Sequence, residues 1–126
     1  MRFMMLMIPK DYGTAPPGTL PDPKAIAKMG EYNKQLEDAG VLLALDGLHP
    51  QSMGARVTWP NGKPTLTDGP FAEAKEVLGG YWVINVGSKD EALEWARKIP
   101  GEDGDIVEVR QVQEQSDFPT LKARHE

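Results

Sequence analysis

Three runs in this chain are apolar at consecutive positions over most of their length instead of at alternate ones: FMMLMI at 3–8, VLLALDGL at 41–48 up to Asp46, and YWVINV at 81–86 apart from Asn85. Side chains of a strand point alternately to the two faces of its sheet, so a strand that is apolar throughout needs cover on both sides. Helices of the same chain can cover one face. The other face then requires a second surface, and this requirement limits the possible architectures more than any single motif does.

Turn and capping residues set the order of elements around those runs. The stretch PKDYGTAPPGTLPDP at 9–23 holds five prolines and two glycines, which predicts either an ordered, turn-rich excursion or a mobile lid. Asp22 then reads as a helix N-cap followed by Pro23, and Ile26, Met29, Tyr32, Leu36 and Ala39 recur near helical spacing up to Gly40. A helix is predicted over 23–39. Gly30 inside it weakens the helix by up to about 1 kcal/mol relative to alanine, so a close packing contact is its expected use. RVTWPNGKPTLT at 56–67 centres on Asn61-Gly62 and reads as a hairpin, kept toward a sheet edge by Pro60 and Pro64.

Ser88 and Glu91 form a capping box for a second helix, with Ala92, Leu93, Ala96 and Ile99 on one side and Pro100-Gly101 at its end. DIVEVRQV at 105–112 is the last strand, with Val107 and Val109 on one face and Glu108 and Arg110 on the other. One domain is expected over 1–113, followed by a polar C-terminal tail over 114–126. The order is strand, helix, strand, hairpin, strand, helix, strand. It predicts an α+β fold: a ferredoxin-like sheet with both helices on one face and an inserted hairpin. A second copy packed across a two-fold axis is the expected cover for the other face, so a homodimer follows from the burial argument.

Composition removes several function classes. The 126 residues suit one domain and include no cysteine, which excludes disulfides, thiolate nucleophiles and thiolate metal sites. A formal charge of −5 with scattered basic residues gives no footprint for nucleic acid. The apolar start is far shorter than the ~20 residues that span a bilayer, and it reads as a first strand and not as a signal peptide. No membrane association and a cytoplasmic location are expected. Neither a phosphate loop nor a dinucleotide fingerprint is present, the serines lack an elbow motif, and two histidines without cysteine support no zinc site. No cofactor and no metal are expected.

The densest chemistry is in TDGPFAEAKEVLGGYW at 67–82. Asp68-Gly69-Pro70 has a local explanation as a turn. Phe71 is a plug on the core or a platform for a ligand. Glu73, Lys75 and Glu76 are surface residues unless they face inward. In that case the carboxylates hold the lysine charged, and one of them can rise into the range of a general acid or base. His49, just past a strand end and three residues after Asp46, is a further candidate base. Arg56, Glu108 and Arg110 sit on strands, where a charged pair fixes register or binds an anion. The catalytic candidates are therefore His49, Asp68, Glu73 and Glu76, and the ligand-binding candidates are Lys75, Arg56, Arg110 and Phe71.

The run LTDGPFAEAKEVLGGYWVINV at 66–86 is similar to the signature of the bacterial YCII-related family, in the branch called DGPF-domain proteins after residues 68–71. RFMMLM, AGVLLALDGLHP, DEALEWARKIP and DGDIVEVRQV extend the resemblance over nearly the whole chain. The resemblance implies a ferredoxin-like fold assembled as a dimeric α/β barrel. In the family's other branch a histidine of the first helix pairs with an aspartate; the helix at 23–39 here has no histidine, so that catalytic role does not carry over. Binding of a small metabolite in a cleft near the 66–80 loop is the expected function. The alternatives are an isomerase or lyase doing acid-base chemistry on a small anionic molecule and, from the family's association with sigma factors, a regulatory module of transcription initiation.

Overall fold

The computed structural model of the protein describes residues 1–69 and 76–119. Its elements are β1 (Arg2–Ile8), α1 (Pro23–Asp38), β2 (Leu42–Gly47), β3 (Ala55–Thr58), β4 (Thr65–Asp68), β5 (Gly80–Asn85), α2 (Lys89–Arg97) and β6 (Ile106–Gln111). Four strands form one antiparallel sheet in the order β2-β5-β1-β6, while β3 and β4 form a separate two-stranded sheet. β5 therefore lies between β1 and β2, the two strands that α1 connects, as in a split β-α-β unit.

Both sheets are open, which corrects the expectation of an α/β barrel. β2 and β6 end the larger sheet on opposite sides with two strands between them, and the hairpin pairs only within itself. Closing a barrel requires hydrogen bonds between the edge strands at a consistent tilt and stagger. Here the edges do not meet.

The core lies between the sheet and the helices. Phe3 and Met5 of β1 and Trp82 and Ile84 of β5 point the same way, and Tyr32 and Leu36 of α1, Ala92 of α2 and the following Ile99 cover them. Met5, Leu36, Ile84 and Ala92 are wholly buried. The Tyr32 ring meets Trp82 edge-on at 5.8 Å, and its hydroxyl donates to the Trp95 carbonyl at 2.7 Å, tying α1 to α2. Trp82 completes the layer by donating its indole N–H to Asn33 Oδ1 at 2.8 Å. Each buried ring thus keeps its polar end satisfied.

Local chemistry explains the helix ends. Asp22 caps α1 by accepting the Ala25 amide at 2.8 Å, and Gly40, with φ 72°, lets the Val41 amide reach back to Leu36 O, a Schellman closure. Ser88 caps α2 by accepting from the Glu91 amide, but Glu91 reaches past the cap to the Gly87 amide at 2.8 Å. Ile26, in the first turn of α1, is 53% exposed. Nothing lies within 4 Å of a side chain built at Gly30, so that glycine serves no packing contact.

β2 departs from the sequence expectation in an instructive way. Its apolar run suggests a strand covered on both faces, yet it is an edge strand. A bulge between Leu42 and Ala44 adds Leu43 as an extra residue, so Leu42 and Leu45 both pack on the helix side. The bulge, not burial on two faces, accounts for much of the run. The hairpin turns through Asn61 and Gly62, both at positive φ, and leaves Val57, Trp59 and Leu66 exposed. Beyond β6, Arg2 donates twice to Glu114, at 2.8 and 3.0 Å, which holds the Glu114 carboxyl below its ordinary pKa and keeps the chain against the sheet.

Candidate functional site

Three segments converge at the end of the sheet where β2 stops. The ladder continues one step past β2, because the Leu48 amide donates to Gly79 O at 2.9 Å while the Gly79 amide donates to Met7 O at 2.8 Å. The proline-rich stretch is fastened to the same place. Tyr12 donates its hydroxyl to Leu48 O at 2.6 Å, Ser52 to Ala15 O at 3.1 Å, and the largely buried Gln51 gives its side-chain N–H to Gly13 O. Of the two readings of residues 9–23, these bonds favour an ordered excursion.

The start of the charged segment is fixed against this corner. The Gly69 amide donates to Gly54 O at 2.8 Å, and a Cβ at Gly69 would fall on the Gln51 carbonyl oxygen. Glycine is required there by contact, since any side chain would displace backbone. Gly79, at the other end of the segment, is bonded on both its amide and its carbonyl. Gly69 and Gly79, on either side of the charged segment, are thus both anchored to this corner.

The sequence candidates that are described lie on separate elements of the structure. Asp68 is exposed at the end of β4 opposite Ala55, Glu76 is exposed in a bend, and His49 is exposed after β2. Phe71, Glu73 and Lys75 lie outside the described residues. Arg56 stands on β3 opposite Thr67. Arg110 is on β6 at the far edge of the larger sheet and donates to Glu108 at 3.2 Å. Asp46 does not orient His49; its Oδ2 accepts the Tyr81 hydroxyl at 2.8 Å. That hydrogen bond and the carboxylate charge raise the Tyr81 pKa above the usual tyrosine value, while partial burial raises that of Tyr12.

The Asp46–Tyr81 pair could not be read from the sequence, since it depends on the β2–β5 register across 35 residues. Gln51 gave no signal beyond its place after a proline. Among the described residues no group of three His, Asp or Glu side chains could hold a metal, and no helix is long and apolar enough to cross a membrane. A shallow dimple of about 190 Å³ on the helix side, lined by Lys28, Glu31, Tyr32 and Lys98, is remote from the corner.

Comparison with known proteins agrees with the extent of the fold. A protein of Rhizobium meliloti (strain 1021), described as uncharacterised, is 33% identical over 78 residues. The aligned part spans 62% of this chain and 63% of that relative's length. The YCII-related domain matches residues 1–116, taking in all six strands and both helices, and on that coverage the chain belongs to the YCII-related domain family.

Proposed function

We propose that this protein is a homodimeric binding protein for a small anionic metabolite, held between the 48–54 turn and the charged segment at 66–80. The observation that carries the reading is the anchoring of that segment at Gly69 and Gly79. A charged stretch fixed at both ends by backbone hydrogen bonds loses less conformational entropy on gripping a ligand than a free loop does. Lys75 is the proposed anion contact, Arg56 a second, and His49 with Asp68 the polar rim; Glu73, Glu76 and Phe71 are the remaining candidates of the same segment. The DGPF motif at 68–71 supports assigning the chain to the DGPF branch of its family.

A second copy covers the open sheet face. Met4, Leu6, Ile8 and Val83 are only half-buried there, and exposed Ile106 extends the apolar area. The partner's sheet stacks on this face without strand pairing, so both sheets keep their free edges.

Native mass spectrometry of the protein purified without added ligand tests both parts. The expected spectrum is a dimer carrying one extra small mass per chain, with the mass lost in Lys75→Met and the dimer retained. A monomer overturns the dimer. A bare protein that also shows no thermal shift with a panel of small carboxylates and phosphates overturns the binding reading.

A further inference from the structure

The open face of the sheet has an apolar centre and unlike charges at its two edges. One row across the strands reads Asp46, Tyr81, Leu6, Glu108; the next reads Ala44, Val83, Met4, Arg110. At the β2 edge, Asp46 uses Oδ2 for the Tyr81 hydroxyl and has Oδ1 left to accept. At the β6 edge, the Arg110 side chain is 69% exposed and gives one N–H to Glu108, so most of its guanidinium donors remain. Within one chain these groups cannot meet, because β5 and β1 separate them.

Resting on the reading that a second copy covers this face, we propose that Arg110 of each copy bridges its own Glu108 and the Asp46–Tyr81 pair of the other, giving two identical charge clusters at the dimer's edges. Two stacking symmetries keep the strands of the copies aligned. A two-fold axis along the strands sets β2 of each copy over β6 of the other, bringing Asp46 to the edge that carries Arg110. An axis across the strands, centred between the two rows, sets each strand over its own copy. Arg110 then meets Glu108, but Asp46 lies against Ala44, dehydrated and with Tyr81 as its sole partner. A carboxylate removed from water without a counter-charge is costly, whereas a guanidinium forked between two carboxylates satisfies both. The strand-parallel axis is the one that gives Asp46 a cation. Strict alignment puts Glu108 in the row of Asp46 and Arg110 one row away, a gap that the length of the arginine side chain spans.

Charge reversal with mixing tests the pairing. Asp46→Arg and Arg110→Asp are each expected to raise the dimer dissociation constant at least about tenfold, as truncating a buried charge pair does. A one-to-one mixture of the two variants is expected to recover a heterodimer in native mass spectra, because each contact between its copies at positions 46 and 110 again joins unlike charges. Asp46→Asn and Arg110→Gln, which only delete the pair, serve as the readout if a reversal fails to fold, and both are expected to weaken the dimer. A monomeric wild type overturns the second-copy reading itself. A dimeric wild type whose variants dimerise unchanged, or weakened variants that do not recover on mixing, overturns the Arg110 bridge alone.

Discussion

Gly69 shows how far a motif of charged appearance can be structural. Its amide and its missing side chain both serve the corner at Gln51 and Gly54, so Gly69→Ala must push backbone apart. We expect it to destabilise the fold by roughly 1–3 kcal/mol, the range of a strained backbone site, in urea unfolding; an unchanged midpoint would contradict the contact. Tyr81 carries a different prediction. All three tyrosines are raised above the usual value of 10.0, Tyr12 and Tyr32 by burial and Tyr81 chiefly by its hydrogen bond to Asp46. A folded pKa above the unfolded one contributes stability that is complete below pH 10 and is lost as pH rises through the folded values. Phenolate absorbance of the native protein should therefore develop later than that of the unfolded chain, and Asp46→Asn should bring one of the three phenols back toward its ordinary range. The sequence marked Gly69 as part of a turn, but the contact with Gln51 that requires a glycine there was not legible, because it joins separate segments. Nor was the Asp46–Tyr81 pair, because it exists only once two strands have chosen their register.

Among the elements, α1 separates what periodicity can and cannot say. The spacing located the helix and its buried Tyr32 and Leu36, but not that Ile26 is exposed or that Gly30 faces open space. Depth of burial depends on the neighbouring elements, and the pattern carries no information about where they stop. Two substitutions turn this into numbers. Gly30→Ala should stabilise the protein by up to about 1 kcal/mol, since alanine lowers the entropy lost on forming a helix and meets no neighbour. Leu36→Ala should cost roughly 2–5 kcal/mol, as expected for a wholly buried leucine. Both are read from thermal or urea unfolding, and a destabilising Gly30→Ala would mean that α1 packs differently. In β2 the reading from the sequence went astray for a related reason: an apolar run does not announce a bulge, and the extra residue moved the strand's apolar positions onto one side.

The whole molecule is governed by a sheet with one face finished and one unfinished. Helices and aromatic rings complete the first; Met4, Leu6, Ile8 and Val83 leave the second half-open. Because Val83 is not part of the finished core, Val83→Lys should leave the circular dichroism spectrum nearly unchanged while turning the protein monomeric in sedimentation, and should lower the unfolding midpoint only by the stability that association supplies. Loss of the fold instead would place Val83 in the core. The insertion at Leu43 adds a restraint on how copies can associate. A straight outer rim of backbone amides invites another chain to add edge-on, and repeated addition of that kind makes fibres. The kink gives an incoming chain no regular template along β2, so polymerisation is discouraged on that side. A second copy on the flat of the sheet, as proposed, makes an assembly that closes on itself and stops at a small, countable particle.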